Sequence, residues 1–590
     1  MRQFFKFFTA SCLGTIVGLL LIAGISTAVF ARIAAKAEKA PSIQSNSILW
    51  LKLDKELPER TNNLEMNPFD VKNSKILGLH DLQLALKAAA KDERIKGIFL
   101  DLEAPNVSGE ATIATLHQAL EDFQKSGKFI FAYGNYYTQD SYYLASTADR
   151  IFLNPMGSVD FRGFGAIIPF FKDMLDKIGV EMQVFYAGEF KSATEPYRFN
   201  KMSDNNRLQV REYVDSLYTH FLNDISEARK IPVDTLFAIA NEYRLRNAEA
   251  AIHNKIVDQL AYRDEILDAM KERIGLEKKD NLRAVTPENY FLAEDLGPDY
   301  SIKDKIAVVY AEGSIVGGEG DPGSIGDKKY MNILKSIRND SRVKALVLRI
   351  NSPGGSALAS ENIWREIELC KSEGLPVVVS MGDYAASGGY YLSAAADTIL
   401  AEPNTLTGSI GVFFMLPNTY ELFDEKLGIS FDTVNTGKFS TRFTPMFPLN
   451  SEEVQIMKGW TEDIYQRFIQ RVAEGRNMPE PAVRAIAEGR VWTGTRAVEI
   501  GLADRLGTLD DAVEIAADLA GLEKYRLSEY PRIKDPVTLL MEEFLGKPEE
   551  IRSKMVKSEL GEWYTYYEQL KAMQEAQGIQ ARLPFLIEVQ

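Results

Sequence analysis

The chain carries one region twice. Asp92-Glu93-Arg94-Ile95-Lys96-Gly97 overlays Asp340-Ser341-Arg342-Val343-Lys344-Ala345 at a shift of 248 residues, and the same shift sets Tyr142-Tyr143-Leu144 on Tyr390-Tyr391-Leu392 and Ala148-Asp149 on Ala396-Asp397. A shift of 249 sets Gly188-Glu189-Phe190 on Gly437-Lys438-Phe439 and Pro196 on Pro445; Arg229 meets Arg476 at 247, and Ala251 and Asp258 meet Ala497 and Asp504 at 246. Register that drifts by so little over ~170 positions marks a duplication, so whatever one half folds into, the other must fold into as well.

Within each half, short apolar runs alternate with longer stretches of helical period, the pattern of α/β units around a buried, largely parallel sheet. Predicted strands in the first half are 47–53, 97–102, 129–133, 151–153 and 183–186, with counterparts at 305–310, 345–350, 377–380, 398–401 and 431–434. The expectation is two homologous α/β domains, 47–300 and 301–525, meeting near Gly297-Pro298. Residues 526–590 read as a helical tail, in which 536–581 is polar, amphipathic helix and the aromatic stripe at Trp563, Tyr564, Tyr566 and Tyr567 suits packing or subunit contact.

A length of 590 residues with 45% hydrophobic and 26% charged side chains supplies two such cores. The formal charge of −15 argues against a nucleic-acid footprint. Residues 7–31 carry no charge and are long enough to span a bilayer, so residues 1–46 read as a stub, a transmembrane anchor and a linker, with the rest of the chain beyond the membrane. A cleaved signal peptide is the rival reading, with small residues at Ser26-Thr27-Ala28, but the uncharged run exceeds the usual apolar region of such peptides. Basic residues on both flanks (Arg2 and Lys6 before, Arg32, Lys36 and Lys39 after) leave orientation open. Two cysteines, Cys12 and Cys370, make no disulfide framework, and His80, His117, His220 and His253 fall in no ligand spacing, so neither metal nor cofactor is expected.

The chemistry concentrates in the second half. Strand 345–350 runs into Asn351-Ser352-Pro353-Gly354-Gly355-Ser356, where paired glycines let backbone N–H groups approach a ligand as an oxyanion hole requires. Strand 377–380 delivers Gly382-Asp383-Tyr384-Ala385-Ala386-Ser387-Gly388-Gly389-Tyr390-Tyr391, with Ser387 at the start of a helix whose free N–H groups suit a developing oxyanion. Helix capping is the plain alternative for this serine. Comparison of the copies favours chemistry: Ser387 aligns with Gln139, and Gly354 and Gly355 align with Asn106 and Val107. The nucleophile needs a base. The second half contains no histidine, so the candidate is Lys191, in Gly188-Glu189-Phe190-Lys191-Ser192-Ala193-Thr194-Glu195-Pro196, which a buried setting could keep neutral. Its counterpart is Ser440. One complete site then draws on both halves, with Asp383 and Glu195 as hydrogen-bonding scaffold.

These segments together resemble the long, duplicated signal peptide peptidases of the S49 serine peptidase family, over roughly residues 1–525. The resemblance implies a ClpP/crotonase-like fold and a Ser387–Lys191 dyad drawn from the two repeats of one chain. It also implies oxyanion donors at the Gly354 and Gly388 N–H groups, a Ser409 hydroxyl that orients the lysine, and a bowl-shaped homotetramer. The activity it implies is cleavage of signal peptides and other extended hydrophobic segments on the periplasmic side of a bacterial inner membrane. Rival readings are a crotonase-like acyl-thioester enzyme, which needs no serine nucleophile, and an inactive membrane scaffold.

Overall fold

The computed structural model describes residues 42–61, 76–103, 105–106, 109–532 and 579–583, together with the isolated positions 14, 15 and 18. The expected membrane segment and the aromatic stripe of the tail lie outside the described residues. Among the described residues no helix is long and apolar enough to cross a membrane.

Each half builds a parallel sheet covered by helices. In the first, β1 (Ser47–Lys52), β2 (Ile95–Asp101), β3 (Phe129–Tyr137), β4 (Arg150–Val159), β6 (Gln259–Leu260) and β7 (Ala284–Val285) lie in the order β6-β4-β3-β2-β1-β7. All these pairs are parallel. The central strands read as unbroken apolar runs because both faces are covered: Ile98, Phe99 and Leu100 are all fully buried. In the second half, β8 (Lys305–Glu312), β11 (Val343–Ser352), β13 (Val377–Ala386), β14 (Thr398–Ala401) and β15 (Leu406–Gly408) repeat this core. It is flanked by β17 (Val491–Thr493), antiparallel to β15, and by β19 (Arg526–Tyr530), giving the order β17-β15-β13-β11-β8-β19, with β14 set between β13 and β18 (Arg505–Leu506).

A third sheet crosses the two halves. It is formed by β9 (Ser314–Val316), β10 (Ser324–Gly326), β12 (Gly354–Ser356), β16 (Val412–Asn418) and β20 (Gln580–Arg582) of the second half and by β5 (Glu181–Ala187) of the first, in the order β10-β9-β12-β20-β16-β5. The β5–β16 ladder is antiparallel over seven residue pairs, from Ala187 opposite Val412 to Glu181 opposite Asn418. It carries the Lys191 segment into the second half.

Two expectations are corrected. The counterpart of β5, predicted at 431–434, forms no strand: the segment is irregular and exposed, and the residues that repeat register would give it as partner, 164–170, form no strand either. The stretch assigned to a helical tail begins with β19, a parallel edge strand on β8 in which Tyr530 is buried and Leu527 packs on the second sheet's core. The same stretch also contributes β20 to the crossing sheet.

The halves are locked by buried charge. Arg349 on β11 is sandwiched between Glu59 of the first half (2.8 Å) and Glu402 of the second (2.9 Å), all three buried. Such a triad is costly to desolvate, and removing one member strands the others, so its geometry fixes how the halves meet. Beside it the Asp383 carboxylate accepts from the backbone N–H groups of Ala111 (2.8 Å) and Thr112 (3.0 Å) and from the Thr112 hydroxyl (2.8 Å). It thereby caps the first-half helix Glu110–Gln124 from across the domain boundary. Asp383 lies four residues before Ser387, so the clamp that joins the halves also positions the strand bearing the serine.

Candidate active site

Ser387 leaves β13 where that strand pairs with β15, Ala386 opposite Gly408, and its own N–H donates to the Gly408 carbonyl at 2.8 Å. Alanines at 385 and 386 allow this close packing. The residue stands at φ 55°, ψ −113°, outside the regions an L-residue ordinarily occupies, and its side chain makes no capping bond to the helix Gly388–Ser393 that follows. The hydroxyl is aimed elsewhere: the Lys191 amine lies 2.8 Å from Ser387 Oγ. Capping is therefore not the role of this serine.

Lys191 follows β5 and is 1% exposed. Its amine also lies 3.0 Å from both the carbonyl and the hydroxyl oxygen of Ser409. Burial alone pushes the amine well below its ordinary value of 10.5. A neutral amine has two N–H donors and one lone pair. The donors match the two Ser409 oxygens, which leaves the lone pair for the Ser387 proton.

Residues that sequence comparison did not single out hold this lysine. Gln209 donates to the Phe190 carbonyl (3.1 Å) and the Ser192 hydroxyl (2.8 Å), fixing the loop on both sides of it. Gly489 stands at φ +73°, where a methyl group would lie 2.6 Å from Lys191 Cβ, so only glycine lets the second half close over the lysine. A glycine in Glu488-Gly489-Arg490 was the one available signal, and nothing local linked it to Lys191. Glu195 accepts from the Ser203 backbone N–H and hydroxyl and from Asn206, a purely scaffolding set.

Gly354 and Gly388 face one another across the serine: a methyl group on Gly354, which stands at φ +99°, would lie 2.8 Å from the Gly388 nitrogen. The Gly354 N–H is turned to Ser352 Oγ at 3.2 Å, and Ser352 Oγ donates to the Gly313 carbonyl at 2.7 Å. The histidines lie apart from this site. His80 pairs with Asp510 at 2.9 Å, His117 stacks on Tyr143 and is held by burial to about 3, and His220 bonds Asn404 at 2.7 Å.

A serine hydroxyl in strained backbone beside a buried amine is chemically suited to nucleophilic attack. The model of peptidase family S49 matches residues 122–277 and 370–523, one segment in each repeat. Protease 4 of Salmonella typhi is 37% identical over 482 residues, spanning 79% of this chain and 76% of that protein. Protease 4 of Haemophilus influenzae is 35% identical over 85% of this chain and 82% of its own length. The chloroplastic serine protease SPPA of Arabidopsis thaliana is 32% identical over 86% and 74%. Among solved structures, a point mutant of ClpP1 from Listeria monocytogenes aligns with 35% of this chain and 94% of its own, at 16% identity and a TM-score of 0.24. With both repeats matched and relatives aligned over most of their length, the chain belongs to peptidase family S49 and is a serine protease built from two copies of the family's α/β domain.

Proposed function

We propose that this protein is a membrane-anchored serine endopeptidase that uses Ser387 as nucleophile and Lys191 as base to cut cleaved signal peptides and other extended, hydrophobic segments. The observation that carries the reading is the 2.8 Å approach of a fully buried lysine amine to the Ser387 hydroxyl. Ser387 Oγ attacks the scissile carbonyl while its proton passes to the neutral Lys191 amine. The ammonium then protonates the leaving amine, and water, deprotonated by the same lysine, hydrolyses the acyl-enzyme. The N–H groups near Gly354 and Gly388 would take the oxyanion, the Gly354 N–H first releasing Ser352. Ser409 keeps the lysine's lone pair on the serine.

An extended apolar substrate fits this design because the crossing sheet can receive a peptide as a strand. A membrane anchor within residues 7–31 would hold the site beside such segments on the periplasmic face of a bacterial inner membrane. A serine-directed acylating reagent tests the chemistry: it should label wild-type protein at Ser387 and leave Ser387→Ala unlabelled. Equal labelling of the two proteins, or cleavage of a hydrophobic peptide by Ser387→Ala, would refute it.

We also propose assembly into a head-to-tail homotetramer. Repeat register matches β16 with residues 164–170 and β5 with residues 430–436, and neither of these segments forms a strand in the single chain, where Ile167 is 81% and Val434 95% exposed. The β5–β16 ladder that joins the halves would recur between chains, a heterologous contact that closes as a ring of four. Cysteines introduced at Ile167 and Thr433 should crosslink neighbouring chains up to tetramer; a ladder that never passes monomer would overturn the arrangement.

A further inference from the structure

The two copies of one long helix differ at a buried position close to the base. The N-caps Ser203 and Asn450 of helices Asp204–Arg229 and Ser451–Gly475 match at the shift of 247, which sets Gln209 opposite Ile456. Gln209 is 1% exposed. An amide buried that deeply needs partners for its donors and its acceptor, and those of Gln209 come from both halves of the chain.

Its orientation is fixed by groups that act in one sense only. The Val491 N–H, in β17 of the second half, can only donate, and it donates to Gln209 Oε1 at 3.3 Å. The Phe190 carbonyl can only accept; Gln209 Nε2 donates to it at 3.1 Å and to Ser192 Oγ at 2.8 Å. Asn206 gives its Nδ2 to the Glu195 carboxylate at 2.9 Å, which turns its Oδ1 toward Gln209 Nε2 at 3.2 Å. One side chain thus grips the loop on either side of Lys191 and, at its other end, a strand of the opposite half. That strand leads to the nucleophile. Val491 stands opposite Gly408 in the β15–β17 ladder, and the Gly408 carbonyl accepts the Ser387 N–H at 2.8 Å. The next residue, Ser409, donates its N–H to the Arg490 carbonyl at 2.7 Å and faces the Lys191 amine with both its oxygens. A parallel tie runs from Glu212 to Arg490 at 2.5 Å, but Glu212 is 49% exposed there, so it contributes little beside the buried amide.

We propose that Gln209 is a positioning residue for the reaction: its single amide holds the Lys191 loop of the first half and the β15–β17 edge of the second at a fixed separation, and so sets the 2.8 Å approach of Lys191 to Ser387. The inference rests on the Ser387–Lys191 reading and deepens it. Gln209 acts through the backbone on both sides and bonds neither reacting atom. The repeat supports the assignment, since the copy with Ser440 in place of the lysine has Ile456 in place of the glutamine. Losing the bonds of Gln209 lets the loop draw away from β17 and admits water to the amine. The groups facing that amine are the hydroxyls of Ser387 and Ser409 and the Ser409 carbonyl, and burial alone holds it below its ordinary value. The charged groups on the surrounding elements, Glu195, Glu212, Glu488 and Arg490, have partners of their own. A wetter amine keeps its proton to higher pH, so the rise of activity with pH moves in the alkaline direction.

The test replaces Gln209 with methionine, which keeps the length and loses the bonds, and separately with glutamate, which keeps the shape and cannot donate when ionised. Hydrolysis of a hydrophobic peptide by the full-length protein in detergent is followed across pH, with melting temperature measured on the same samples and Lys191→Ala run alongside. In Gln209→Met, kcat at neutral pH should fall by about 10–100-fold with KM little changed, and the rate should recover toward wild type at alkaline pH. The pH at which activity rises should move upward by ~1 unit or more. Gln209→Glu should move it the same way, because a carboxylate near the amine favours the charged form. A purely structural role predicts a loss that is equal at every pH. If one variant does not fold, the other decides. A profile not moved upward, or failure of both variants to fold, overturns the proposal and leaves the dyad reading standing. Lys191→Ala that keeps the wild-type rate and profile overturns the dyad reading, and this inference with it.

Discussion

The turn after β3 and the turn after β13 are copies of one element, and they differ where chemistry would need them to. After β3 the helix Gln139–Ala145 begins conventionally: Thr138 stands at φ −71° and its hydroxyl accepts from the Ser141 N–H. After β13 the residue before the helix, Ser387, stands at φ 55° and caps nothing. The Gln139 side chain accepts from the N–H groups of Arg162 (3.0 Å) and Gly163 (2.9 Å) and donates to the Gly163 carbonyl at 3.3 Å. Gly163 is the repeat counterpart of Gly411, whose carbonyl lies 3.5 Å from Ser387 Oγ. In one copy, then, a long amide fills the spot and satisfies the loop; in the other the spot is kept for a hydroxyl and a lysine. A backbone held off its preferred regions costs on the order of 1–3 kcal/mol, and of these two turns only the one that holds Ser387 keeps that strain. The lysine segments diverge in the opposite sense. Lys191 is buried in the other domain, whereas Ser440 closes an exposed turn by accepting from the Gly437 N–H at 3.0 Å.

This contrast can be broken experimentally, and the largest effect should come from Lys191. Lys191→Met should lower kcat/KM by about 10⁴-fold or more, because the serine loses its base. The same change should stabilise the fold. The folded-state pKa is depressed, so at neutral pH folding must strip a proton from an amine that is charged when unfolded. That cost is present below the ordinary 10.5 and fades as pH rises toward it. Removing it should raise the melting temperature by about 2–4 °C per kcal/mol gained, as read by calorimetry, and a fall instead would mean the lysine is charged in the fold. Ser409→Ala should act more gently, lowering kcat by roughly 10–100-fold with KM little changed, since it frees the lysine without removing it. An unchanged kcat would remove Ser409 from the site. Smallest is Gln139→Ala, expected to cost about 1 kcal/mol in a denaturant titration and to leave hydrolysis untouched. A loss of activity there would mean the first turn is more than a filled-in copy.

Much of this was legible in the sequence, because a duplication supplies its own comparison. The apolar runs of β2, β3, β11 and β13 mark buried parallel strands, and the replacement of Ser387 by Gln139 and of Lys191 by Ser440 points to divided roles. What was not legible depends on partners far away in the chain. Residues 431–434 have the side chains of a strand and form none, since a strand needs an edge and the β16-like segment it would match belongs to the other repeat. β19 and β20 are short and gain their place from β8 and from the β12–β16 slot, which no local pattern announces. Gly489 and Gln209 hold Lys191 across long stretches of sequence, and Asp383, legible as hydrogen-bonding scaffold, gave no sign that its partner is a helix of the other half.

The central claim is that the two repeats contribute one reactive pair, and the pH dependence of Ser387 acylation by a small serine-directed reagent tests it most directly. Only the neutral amine can take the serine proton, so the labelling rate of wild-type protein should rise as pH passes upward through a value well below 10.5 and then level off. In Lys191→Ala the rate should be lower by orders of magnitude and that rise should be gone. Matching rates and matching profiles in the two proteins would contradict the account.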